Sequence, residues 1–156
     1  MATTLTVLHP ESKKFDFNSS KITHFVDLLL KEKDCSDFSL SLVLTDDAEI
    51  QKLNADYRMK NTPTNVLSFP FLDGADSVLK ELPIKELGDI IISLDTAHRE
   101  AQKYGEEFSY RLCWLTVHGF LHLCGMDHER SNEEARQMTA QEKTLLELYY
   151  QTGYNP

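Results

Sequence analysis

The stretch FSYRLCWLTVHGFLHLC, residues 108–124, constrains the fold more than any other part of this chain. Phe108, Leu112, Leu115 and Leu121 or Leu123 recur at helical spacing in a strongly apolar run. A helix that is apolar nearly all round belongs in the interior, covered on every side. Gly125 follows it and can end it in a left-handed turn. The same helix carries His118 and His122, and His128 lies just past the glycine. A central helix therefore brings polar ring nitrogens into the middle of the molecule.

The flanking sequence supplies what covers such a helix. Residues 4–9, 38–44, 64–71 and 88–93 read as strands; FSLSLVL alternates apolar and small polar residues, and GDIIIS is a β-branched buried run. Residues 18–33 form a helix opening on Ser19 or Ser20, and residues 46–58 another, with Asp46 and Glu49 as a capping-box variant. Residues 94–105 are helical, capped near Asp95 and closed by Gly105, while 131–153 start on Ser131 with Glu134 and end at Gly153. A DG turn and a proline make 72–87 a loop or partial hairpin. The predicted fold is α+β: a single domain over residues 1–156, with about four strands in a mixed sheet packed with several helices. The strand order is not readable from these segments.

With 156 residues the chain suffices for one packed core. No apolar run approaches the roughly 20 residues of a membrane helix, and the first residues show no signal-peptide pattern. Cys35, Cys113 and Cys124 are an odd number at no metal-knuckle spacing, which reads as reduced thiols in a cytoplasmic setting. The net charge of −9 argues against a broad nucleic-acid-binding surface. It leaves room for a local one: Lys52, Arg58 and Lys60 face only Asp56 within residues 51–71.

His118 and His122 are four residues apart, about 400° of rotation and roughly 6 Å of rise, so both imidazoles leave one helix face at adjacent turns. A glycine turn then lets His128 reach the same point, giving H-x-x-x-H-x-x-G-x-x-H. Three of the chain's six histidines fall in this 11-residue window. Isolated histidines are usually hydrogen-bonded core or surface residues, and His9, His24 and His98 are read so. Three neutral nitrogen ligands suit zinc, with copper, nickel and iron chemically open. Three protein ligands leave a coordination position free, the mark of a catalytic site. Asp127 and Glu129 are candidates for orienting a ligand, although solvated carboxylates are the simpler reading. Zinc peptidases of the H-E-x-x-H type carry a glutamate where this chain has Gly119, so a peptidase stands as an alternative only. Met138 fits the apolar stripe of the last helix better than a peptidase turn.

Three blocks in order, LNADYRMKNTPTNVLSFPF (53–71), LGDIIIS (87–93) and HGFLHLCGMDH (118–128), resemble the YbeY family of bacterial metal-dependent endoribonucleases, also called rRNA maturation factors. Met126 stands where that family usually shows tyrosine, at a position that ligates nothing. The resemblance implies a single-strand-specific, zinc-dependent endoribonuclease of the cytoplasm, acting in 16S rRNA 3′-end maturation and late ribosome quality control. It implies one Zn2+ on His118, His122 and His128, and places the family's motif arginine on Arg58. A guanidinium there can bind the non-bridging phosphate oxygens bidentately as negative charge builds. Thr62, Thr64, Asn65 and Ser68 can contact RNA, though turn and strand roles explain them equally. The implied partners are single-stranded RNA, rRNA, the small ribosomal subunit and ribosomal proteins, with neither DNA nor a membrane. A non-catalytic ribosome-assembly factor with a structural metal is the other reading left open.

Overall fold

The computed structural model describes residues 3–8, 15–71 and 85–152. Its elements run β1 (Thr3–Val7), α1 (Ser19–Glu32), β2 (Phe38–Thr45), α2 (Asp47–Arg58), β3 (Val66–Pro70), β4 (Lys85–Ser93), α3 (Leu94–Tyr104), α4 (Phe108–Leu123) and α5 (Asn132–Leu146). A 3-10 helix, Glu147–Thr152, closes the described chain. The sheet order is β1-β2-β4-β3, with β1, β2 and β4 parallel and β3 antiparallel on the edge beside β4. The fold is α+β with a four-stranded mixed sheet, as expected.

Strand alternation divides the helices between the two faces. Leu40, Leu42 and Leu44 of β2 and Ile90 and Ile92 of β4 join the main core with α1, α3, α4 and α5. Val43, Leu67, Phe69 and Ile91 point the other way, onto Ile50 and Leu53 of α2. The central helix is α4, with ten of its sixteen residues buried, among them Leu112, Leu115, Val117, Phe120 and Leu121. It packs against β3 and β4 on one side and α3 and α5 on the others.

Local departures from the sequence reading have identifiable causes. Asn18, not Ser19 or Ser20, caps α1 by accepting from the Lys21 N–H. Ser93 caps α3 through the Thr96 N–H, and Asp95 accepts from the Asp47 N–H at 3.0 Å, tying the start of α2 to α3. β4 begins at Lys85 rather than 88 because a bulge absorbs Leu87: Ser39 pairs with Glu86 and Leu40 with Gly88. Gly88 has φ +144, and a Cβ there would stand 2.4 Å from the Phe69 carbonyl. α5 tightens into the 3-10 helix after Leu146 instead of continuing to Gly153, which lies outside the described residues with His9 and 72–84.

The ladder between β3 and β4 settles which backbone groups the outer edge presents. Ser93 N–H donates to the Asn65 carbonyl and Phe71 N–H to the Leu87 carbonyl, so odd-numbered residues of this segment face β4. Val66, Ser68 and Pro70 therefore face outward. Val66 N–H is taken by Asn65 Oδ1 at 2.7 Å, and Pro70 has no N–H. Ser68 is left as the outward donor of this strand.

Candidate metal centre

On α4, His118 and His122 project from one face, and their Nε2 atoms are 3.2 Å apart. Past the helix, Gly125 adopts φ +93, and Met126 N–H returns to the Leu121 carbonyl at 3.0 Å. That reversal carries His128 back over the helix end. Its ring centroid lies 5.4 Å from that of His118 and 5.5 Å from that of His122. One nitrogen from each residue lies within 4.8 Å of the others, and His118 and His122 are half-buried whereas His128 is exposed. Nitrogens about 2 Å from a shared ion stand at most about 4 Å apart, so small side-chain adjustments close this cluster on one metal. The donor set and the spacing are compatible with a metal ion.

The electrostatics favour coordination. Burial, then the neighbouring His118 and His128, push the His122 imidazole below its usual value, against the opposite pull of Asp127 and a backbone hydrogen bond at Met126. The shift favours the neutral ring, the form a metal requires. Asp127 and Glu129 do not orient a ligand by a short contact. Asp127 accepts from the Glu129 N–H at 2.8 Å, and Glu129 Oε1 stands 4.0 Å from His128 Nε2, beyond hydrogen-bond length.

The residue that does reach a histidine is Glu142 of α5, whose Oε2 lies 3.0 Å from His118 Nδ1. Sequence reading passed over it. Its trace in the sequence is a carboxylate set one turn after Met138 and one turn before Leu145, inside an otherwise apolar stripe. Met138 itself is buried in the core. His98 packs against Phe15 and Phe108, in keeping with its reading as an ordinary packed residue.

The histidines line a groove of about 900 Å3 together with residues 64–70, which include β3, and with Tyr57 and Arg58. Arg58 thus shares a cavity with the histidines although 60 residues separate it from His118. α2 ends with Met59 in the left-handed region, and Asn54, buried, donates to the Thr62 carbonyl at 2.9 Å, so the segment after Arg58 is strapped to the helix. Tyr57, largely exposed, meets Phe69 edge-on at 5.1 Å, and both line the same groove as Arg58. Of the four polar candidates, Asn65 and Ser68 line the groove with their side chains engaged. Asn65 Nδ2 donates to Glu100, and Ser68 Oγ donates to the Gly119 carbonyl at 3.1 Å. Thr64 lines it, and Thr62 does not. Gly119 faces the sheet, where a Cβ would lie 2.8 Å from Ile90 Cγ2. The helix packs too closely on β3 and β4 for a glutamate at that position.

Fold and site together define an α+β protein with a three-histidine candidate metal centre opening on an arginine-bearing groove. The profile of the family described as Endoribonuclease YbeY matches residues 8–150. Curated relatives named Endoribonuclease YbeY include one from Geobacter metallireducens, 46% identical over 75% of this chain and 77% of its own length. Another, from Geobacter sulfurreducens, is 41% identical over 90% of this chain and 93% of its own. The solution structure of a Thermotoga maritima protein matches with a TM-score of 0.64 over 95% of this chain and 89% of that one, at 23% identity, which speaks for the fold alone. This chain belongs to the Endoribonuclease YbeY family.

Proposed function

We propose that the chain is a metal-dependent endoribonuclease that cuts single-stranded RNA, with one zinc ion held by His118, His122 and His128. The observation that carries this is the convergence of three histidines and Arg58 on one groove in a member of a family named for RNA cleavage. A bound ion would supply Lewis-acid polarisation of a phosphoryl oxygen. Arg58, exposed at the end of α2, would donate two N–H groups to the non-bridging oxygens and hold the phosphate against the growing charge. His118 and His122 would hold the ion on the buried helix, where they line the groove that Arg58 shares. Tyr57 and Phe69, which line the groove with Arg58, offer faces and edges on which unpaired bases can lie, which suits a single strand rather than a duplex. The biological setting follows from the family resemblance: 16S rRNA 3′-end maturation and late ribosome quality control in the cytoplasm, in contact with the small subunit and ribosomal proteins.

The peptidase alternative gains nothing from the groove. Position 119 has no room for a general base, and the β3 edge offers an incoming peptide one backbone donor, Ser68. A non-catalytic assembly factor, in keeping with the net charge of −9, is separated by experiment. The test is cleavage of single-stranded RNA by purified protein with and without chelator, together with metal analysis. His118→Ala is expected to lose metal and cleavage together. Full cleavage by a metal-free His118→Ala protein would refute the proposal, and rescue of rRNA processing in cells by a metal-free Arg58→Ala variant would favour the assembly factor.

A further inference from the structure

The three histidines are not held alike. Nδ1 of His118 meets Glu142 Oε2 at 3.0 Å, and the two side chains are only 19% and 12% exposed. Trp114, one turn earlier on α4, lies nearly parallel to the imidazole, at 11° and 5.3 Å between centroids. The Arg111 guanidinium also lies against the indole, 4.7 Å from the ring centre, and Arg111 is itself buried and paired with Glu106 at 2.6 Å. His118 is therefore fixed along one edge by a carboxylate and across one face by a clamped indole. His128, by contrast, has a 46% exposed side chain and no hydrogen-bond-length contact to Glu129.

A carboxylate accepting from Nδ1–H leaves the lone pair on Nε2. In His118 that is the nitrogen turned toward His122 Nε2, the side on which the cluster converges. Among the described residues His118 is the one polar partner of Glu142. The carboxylate also interrupts the stripe by which α5 enters the core, between Met138 and Leu145. Core packing alone gives no reason for a carboxylate at that position. Fixing the tautomer and plane of a ligand does.

Resting on the reading of the three histidines as metal ligands, we infer that Glu142 is a positioning residue of the metal centre. It presets His118 with Nε2 available, and Trp114 fixes the plane of the ring. His118 then receives an ion without reorganising, and His128 is the ligand that closes on it.

The experiment compares wild type, Glu142→Gln, Glu142→Ala, His118→Ala and the Glu142→Ala/His118→Ala double variant. Zn2+ affinity is read by competition with a chromogenic chelator, and a urea titration of each metal-free protein checks folding. Glu142→Ala is expected to weaken Zn2+ binding roughly 10–100-fold. Glu142→Gln, which keeps an acceptor, is expected to weaken it less. In the His118→Ala background, loss of Glu142 should add nothing. Two-bond 15N–1H spectra of the metal-free wild type should show His118 as the Nδ1–H tautomer, and Glu142→Ala should return it to a mixture. Unchanged affinity in a folded Glu142→Ala protein overturns the inference, as does an equal loss in the His118→Ala background or an unchanged tautomer. Wild-type protein that takes up no Zn2+ overturns the metal reading beneath it, a result distinct from all of these.

Discussion

Replacing Gly119 with alanine would put a methyl group into a contact that has no space for it. The added Cβ would lie 2.8 Å from Ile90 Cγ2, 3.1 Å from Ser68 Oγ and 3.3 Å from Val66 Cγ2. Ile90 is fully buried and β-branched, so its methyl cannot swing aside, and Ser68 Oγ is occupied with the Gly119 carbonyl. Overpacking of this kind costs about 1–3 kcal/mol. Against it stands the helix preference of alanine over glycine, about 1 kcal/mol. The balance is a net loss of about 1 kcal/mol, or roughly 2–4 °C in Tm for a chain of this size. Glutamate adds the burial of a charge against isoleucine and valine, and should cost about 3 kcal/mol or more. The assay is urea unfolding of the metal-free protein, which keeps ion binding out of the comparison. An alanine variant more stable than wild type by the full ~1 kcal/mol of helix preference would show that α4 does not press on β3 and β4 as described. A folded glutamate variant of wild-type stability would refute the argument that this packing excludes a base at position 119.

Four further outcomes follow from the same geometry. Arg58→Glu should keep metal content and lose roughly 100-fold or more of RNA cleavage, as removal of a charge-stabilising donor does, checked by metal analysis beside single-turnover kinetics. Gly125→Ala meets no atom within 4 Å, so its cost is backbone strain at φ +93, about 1–2 kcal/mol; Zn2+ affinity should fall because the strain sits in the turn that delivers His128. Asn54→Ala should cost about 1 kcal/mol by removing the hydrogen bond that straps the exposed Thr62 to α2, read from the urea midpoint. Desolvation raises the Asp47 carboxyl, but hydrogen bonds from Ser93, Thr96 and Arg99 outweigh it and hold the group below its usual value. Its folded form therefore contributes stability above the ordinary carboxylate range that is lost as pH falls through the lowered value. Asp47→Asn should flatten the acid side of the stability profile, and an unchanged profile would contradict that assignment.

What the sequence disclosed was local. His118, His122, Gly125 and His128 act within 11 residues, so helix periodicity and one left-handed turn suffice to bring them together. The caps at Asp46 and Ser131, each bonding a residue three positions on, were legible for the same reason. Arg58 was visible as a charge and a motif match, but its place in the groove depends on β3 running antiparallel to β4 beneath α4, a long-range pairing that no spacing encodes. Glu142 lay further out of reach, since its partner is 24 positions away and its exposed alternatives look identical in one dimension. The bulge at Leu87 was hidden because Leu-Gly reads as the end of a loop until the strand beside it is known.

An unpaired sheet edge is where a second copy of a chain can add itself and begin a growing stack. The outer rim of β3 presents that hazard in reduced form: Asn65 already occupies the Val66 N–H, proline removes the one at position 70, and Ser68 remains. A strand of another copy that pairs with this rim would find the outward carbonyls of Val66, Ser68 and Pro70 but a single backbone donor, Ser68. A nucleic acid strand needs no such donors. The wall of the groove can therefore stay open while giving strand addition fewer backbone bonds than a full edge would.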